Sequence, residues 1–243
     1  MGFSWKLAVL LLPISAGGAF VQRVTGFGFG IFVMLFLPHL TGSSPKAAAI
    51  SGMISIVGTV YNAVRHRKDI RWKTILPLII AALVTIPIAV QLSAYAPERL
   101  LKTILGVVLI LLSIYFLVFS KKIRLKPTVA GAVVTGCAGG VLTGMFSTGG
   151  PPVVLYLTSA LPDKATYFAS IQTYFCATNL YSTGVRALNG IITTEILIYS
   201  AIGVASFFVG DAVGAKIFDR LDAEKFRRII YIGMIVSGVL MIV

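Results

Sequence analysis

Long apolar stretches alternate with short polar or glycine-containing interruptions along the whole chain. The pattern predicts ten helices: 4–24, 29–40, 45–64, 74–93, 97–119, 128–146, 150–161, 165–188, 194–218 and 223–243. About 20 apolar residues cross a bilayer, and eight of the ten reach that length. The second and seventh are too short to span alone at 1.5 Å per residue. Each of these two follows a glycine-rich break. The first break is Gln22-Arg23-Val24-Thr25-Gly26-Phe27-Gly28-Phe29-Gly30, and the second is Thr143-Gly144-Met145-Phe146-Ser147-Thr148-Gly149-Gly150-Pro151-Pro152. Glycine permits positive φ and close backbone approach. A helix that starts just after such a break points unpaired N–H groups and its positive dipole end into the gap. Thr41-Gly42-Ser43-Ser44-Pro45 reads as a turn, with Ser44 as N-cap and Pro45 at the first helical position.

The two halves read as repeats. Thr25-Gly26 followed by Phe32 to Leu37 matches Thr143-Gly144 followed by Pro152 to Leu157, and Val64-Arg65 matches Val185-Arg186. Glu98-Arg99-Leu100 likewise matches Glu224-Lys225-Phe226. Charge then sets their orientation. The loop after the third segment holds Arg65, Arg67, Lys68, Arg71 and Lys73, whereas its counterpart holds only Arg186. The loop after the fourth holds Arg99, with Lys102 a turn further on; its counterpart holds Lys216, Arg220, Lys225, Arg227 and Arg228. Lys and Arg mark the cytoplasmic side, so equivalent loops face opposite sides. The expected fold is all-α and polytopic: two inverted five-helix repeats (5+5), whose short second and seventh helices meet near the bilayer midplane, with both termini outside. Residues 1–243 form one transmembrane domain, with repeat one 4–119, linker 120–127 and repeat two 128–243. An eight-pass arrangement, with the two short helices dipping in and out, is the competing topology.

Composition agrees. The chain is 57% hydrophobic and 12% charged, against roughly 25% charged in a soluble domain. Helices and short loops use up its 243 residues, which excludes an attached catalytic domain. The net charge of +13 lies mostly in three loops, where it serves topology and binding of lipid headgroups rather than nucleic acid. Cys137 and Cys176 fall inside apolar segments and imply neither a disulfide framework nor a metal site. The stretch 7–20 has the make-up of a signal peptide. Cleavage there would remove the helix leading into the first break, so it is read as retained.

Polar residues inside apolar helices are costly and mark a pathway by default. Gln22 and Arg23 precede the first break; guanidinium matches an oxyanion bidentately, while the competing role for Arg23 is snorkelling to the interface. Thr25, Gly26, Phe27 and Gly28 form the first gap. Ser147, Thr148, Gly149, Gly150 and Pro151 form the second, where hydroxyls and N–H groups can serve a ligand or cap the helix. Asn62, Gln172 and Asn179 are amides within helices, suited to a ligand or to helix–helix contact. Asp211 is a candidate coupling carboxylate; its position toward the cytoplasmic end, within one turn of Lys216, suits an interfacial pair or a helix-packing role instead. No His-Glu-x-x-His or Gly-x-Ser-x-Gly stretch occurs, neither histidine is central, and no ATP-binding loop is present. These features argue against an enzyme, a cofactor or a metal. Energy would come from an anion gradient, the membrane potential or a coupled proton.

The paired motifs, Arg23 through Gly30 to Pro38 and Gly144 through Gly149-Gly150-Pro151-Pro152 to Leu157, resemble the TauE/SafE-type sulfite exporter family over the whole chain. Many relatives have an arginine early in the eighth helix, where this chain has Tyr167, and a first motif without Phe27 and Phe29. The resemblance implies a small anionic substrate of the sulfite, thiosulfate and sulfoacetate class. It implies a secondary transporter in the cytoplasmic membrane, moving that substrate outward by alternating access. An anion channel of the same architecture, or a carrier of another small organic anion, remains the alternative, and a homodimer is left open.

Overall fold

The computed structural model describes residues 4–119, 127–217 and 223–242. Most of the predicted linker and the end of the segment 194–218 lie outside these described residues. The elements are α1 Trp5–Thr25, α2 Phe29–Met34, α3 Leu37–Thr41, α4 Ser44–Arg65, α5 Trp72–Tyr95, α6 Glu98–Ile114 with a π-helical continuation Tyr115–Phe119, α7 Val129–Phe146, α8 Gly150–Ala160, α9 Lys164–Leu188, α10 Thr194–Ile217 and α11 Ala223–Ile242. No strand occurs among the described residues.

Two sequence expectations need correction. The segment 29–40 is two helices, because Pro38 has no N–H to give the carbonyl of Met34, where α2 ends. The Leu35 carbonyl at the kink is taken instead by Ser237 Oγ, 3.1 Å away on α11. The N-cap of α4 is Ser43, whose hydroxyl accepts from Lys46 N–H. Ser44 is the first helical residue, and its N–H and hydroxyl both donate to Glu98, at 2.8 and 2.6 Å. At the start of α9, the Asp163 side chain accepts from the Thr166 N–H, which holds its carboxyl below the usual carboxylate range.

Glycine decides how closely the long helices approach. A methyl group on Gly136, Gly140 or Gly144 of α7 would sit 2.5, 2.6 or 2.8 Å from the carbonyls of Leu78, Ala82 or Ile86 on α5. Both series rise together, so α5 and α7 run parallel at backbone contact, as the four-residue glycine spacing predicts. α1 and α10 do the same. Gly210 leaves no room for a methyl group against the Ala16 carbonyl, and Ser15 Oγ donates to Gly203 O at 2.7 Å.

α4 and α9 run antiparallel. His66 meets the Phe168 ring, and Asn179 Nδ2 donates to Ser55 Oγ at 3.2 Å. α6 and α11 are antiparallel too, with Gly106 against the Gly238 carbonyl and Phe116 stacked on Tyr231. Exchanging α1–α6 with α7–α11 carries the α1–α10 packing onto α7–α5 and returns the α4–α9 and α6–α11 packings to themselves.

Six of the described helices are long and apolar enough to cross a membrane: α1, α4, α5, α6, α7 and α10. Leu76, Ile80, Val84, Ile88 and Leu92 form an exposed stripe along α5, the surface a lipid-facing helix presents. The protein is a multi-pass membrane protein. α9 is long but differs from these six, because it buries Gln172, Asn179, Ser182 and Arg186 on one face. α4 answers with buried Ser51, Ser55, Thr59 and Asn62.

Candidate functional site

The two breaks lie against each other. Gly30 has no room for a side chain because the Ser147 carbonyl occupies that space, and the Phe27 ring sits beside Gly150. Between them is a cavity of about 30 Å³. The first break lines it with Gln22, Gly28, Phe29, Gly30 and Ile31, and the second with Thr143, Ser147, Thr148, Gly149 and Gly150. Ser55, Phe175 and Asn179 complete the wall. Ser55 lies halfway along α4, and Phe175 and Asn179 flank the midpoint of α9.

The first break is shaped by its own residues. Gly26 ends α1 at φ 82° and Gly28 opens α2 at φ 99°, both in the left-handed region that glycine tolerates. Thr25 Oγ1 faces its own backbone, donating to the carbonyls of Val21 and Phe27. A ladder of amides then crosses to α9. Gln22 Nε2 donates to Gln172 Oε1 at 3.3 Å, and Gln172 Nε2 donates to the Gly26 carbonyl at 3.1 Å. Gln22 Oε1 is buried without a partner among the described residues.

The second break is shaped by other helices. Ser147 is the one non-glycine residue at positive φ (53°) among the described residues. Its hydroxyl donates to the Ala48 carbonyl of α4 at 2.8 Å. The N–H groups of Ser147 and Thr148 return to the carbonyls of Thr143 and Leu142, so the hydrogen-bonding capacity facing the cavity comes from elsewhere. Gly149 and Gly150 bring N–H groups at the start of α8, whose next two residues are prolines without any. Thr148 Oγ1 is buried and has no partner among the described residues. The positive end of the α8 dipole points the same way.

The remaining sequence candidates are placed apart from the cavity. Gln172 stands behind Gln22 and orients it. Phe27 packs at a tilt against the Phe116 ring rather than lining the wall, and Pro151 is buried in the first turn of α8. Asn62 is buried in the last turns of α4. Arg23 lies outside the cavity: it faces Asp211 on α10 at 3.9 Å, with both side chains about one-third exposed (37% and 29%). Asp211 therefore pairs with Arg23 rather than with Lys216, because the parallel α1–α10 packing brings residues 23 and 211 to one level.

Arg186 is a buried charged residue beside the cavity that sequence reasoning missed, as it missed Ser55 and Phe175 in the wall. Counted as a loop charge, it is 1% exposed. Nη2 donates to the carbonyls of Thr143 and Gly144 at 3.0 and 2.9 Å, and Nη1 to Ser182 Oγ at 2.6 Å. It thus caps the negative end of α7 directly behind the cavity wall. Gln172, Phe175, Asn179, Ser182 and Arg186 recur every three or four residues, one helical face. That periodicity is the signal that would have found it. No carboxylate lines the cavity, and no cluster of three metal-ligating residues occurs among the described residues.

The family described as Sulfite exporter TauE/SafE matches residues 10–241. A relative from Cupriavidus necator, the "Probable sulfite/organosulfonate exporter TauE", is 23% identical over 235 residues, covering 92% of this chain and 91% of its own. No solved structure matches.

Proposed function

Because the chain belongs to the TauE/SafE sulfite exporter family, a family of membrane transporters, we propose that it is a secondary transporter. Its substrate would be a small sulfur oxyanion or organosulfonate, carried outward across the cytoplasmic membrane. The observation that carries this reading is the cavity halfway along α4 and α9. Both breaks build it, hydroxyl, amide and N–H groups line it, and no acid does. A buried guanidinium stands one residue behind it.

The halves act as inverted repeats that rock against each other around this site. The antiparallel α4–α9 and α6–α11 pairs support that reading, as does the exchange of α1–α10 with α7–α5. The basic loop 65–73 packs on the start of α9 through Arg71 N–H to Ser170 Oγ, and it marks the cytoplasmic end. A cavity of about 30 Å³ holds about two waters, so rocking must widen it to admit an oxyanion. A negative interior drives a monoanion outward by about 2.3 kcal/mol per 100 mV.

Purified protein in liposomes tests the proposal. Sulfite, thiosulfate, sulfoacetate, taurine and sulfate are compared by thermal shift and by efflux. Saturable efflux, accelerated by substrate on the far side, is the expected result. A linear, voltage-dependent current would identify a channel instead, and the absence of any response to all five would reject the substrate class.

A further inference from the structure

Arg65 and Arg186 stand at matching places in the two halves. Each follows a valine at the end of its helix, and each donates Nη1 to the side chain four residues earlier: Tyr61 OH and Ser182 Oγ, both at 2.6 Å. Their surroundings are opposite. Arg186 is fully buried and holds the last-turn carbonyls of α7, Thr143 and Gly144. Arg65 is exposed. In the sequence repeat, Thr143-Gly144 corresponds to Thr25-Gly26 at the end of α1. There the Gly26 carbonyl is held by the neutral amide of Gln172 rather than by an arginine. The end of α4 is nevertheless close by: His66 meets the Phe168 ring, and Phe168, together with Tyr167, lies against Gly26.

Burying a guanidinium without a carboxylate is expensive, and both ion pairs among the described residues involve other side chains. An intramembrane charge kept at that cost has a working role. Two-fold related halves offer one. If the chain works by alternating access, the opposite-facing state is reached when each half adopts the other's conformation. Resting on that reading, we propose that Arg186 and Arg65 are alternating clasps. Arg186 closes the end of α7 in the conformation seen here. In the opposite one Arg186 lets go, and Arg65 swings in to hold the carbonyls of Thr25 and Gly26, displacing Gln172. The two arginines are positioning residues: they hold the helix ends that shape the cavity, on one side at a time.

The test uses full-length protein in liposomes with sulfite. Arg65→Gln should leave the sulfite-induced thermal shift intact while slowing efflux about tenfold to a hundredfold, the population change from losing charge-assisted hydrogen bonds in one of two states. Arg65→Lys should recover part of the rate. Arg67→Gln, equally exposed in the same loop, should transport like the parent, which separates the clasp from general positive charge. Efflux by Arg65→Gln equal to that of Arg67→Gln overturns the proposal. If the parent protein neither binds nor moves any sulfur oxyanion, it is the transport reading that has failed. The clasp is then decided without substrate, by a short bifunctional thiol reagent in a Cys137→Ser, Cys176→Ser background. Arg65→Cys paired with Thr25→Cys should cross-link and Arg67→Cys paired with Thr25→Cys should not. Equal yields in the two pairs reject the clasp.

Discussion

The two breaks share one sequence grammar, a Thr-Gly pair followed by a short apolar helix, and they are held in different ways. The first relies on two left-handed glycines and on Thr25 bonded to its own neighbours. Its hydrogen bonds to α9 run to one side chain, Gln172, from the Gly26 carbonyl and the Gln22 amide. The second places a serine in the left-handed region and depends on α4 for the Ser147 hydroxyl and on α9 for the α7 carbonyls. One break is a local solution and the other is imposed by packing. On the alternating-access mechanism proposed above, two related halves in one conformation show this asymmetry, since identical environments would make the two sides equivalent.

Substitutions that remove space should have the largest effect. Gly149→Ala drives a methyl group into the Thr143 hydroxyl and the Gly139 carbonyl, and Gly30→Ala drives one into the Ser147 carbonyl. Backbone cannot yield as a side-chain tip does, so each should cost about 3 kcal/mol, near the upper end for overpacking, read as thermal unfolding in detergent. A tolerated Gly30→Ala would mean that the breaks are not in contact.

Next is Gln172→Leu, which strips the Gly26 carbonyl and the Gln22 amide of partners. A cost of about 2 kcal/mol is expected from orphaned buried polar groups. The same change should leave the second break untouched, visible as unaltered labelling of a cysteine placed at 147.

Ser147→Ala loses the bond to Ala48 and keeps the unfavourable φ, at about 1 kcal/mol. Ser147→Gly should cost less, because glycine adopts that φ without strain. Equal effects would show that the hydroxyl, not the backbone, is what matters there.

Arg23→Ala should be the mildest. Its pair with Asp211 is long and partly exposed, and such pairs contribute about 0–1 kcal/mol. Efflux at the parental rate in that variant would remove Arg23 from the substrate path.

What could be read from residue order alone is what local physics decides. Apolar length marks the helices, Gly26 and Gly28 mark the first break, and the prolines at 151 and 152 mark the start of α8. The glycine face 136, 140 and 144 announces a close helix contact before its partner is known. Even here one local rule outran the reading: Pro38 ends α2 at Met34 and divides what the apolar pattern presents as one helix.

The fate of the charges belongs to the tertiary structure. Val64-Arg65 and Val185-Arg186 are the same dipeptide at matching helix ends, yet one arginine is exposed and the other is sealed among carbonyls of α7. Arg23, the best chemical match to an oxyanion, is turned toward Asp211, while Ser55 and Phe175, unremarked in the sequence, reach the cavity. A residue's helical state follows from its neighbours in the chain. Its partners follow from how far each helix is rotated and which backbone groups the opposing helix leaves open, and those are set only when all the helices pack together.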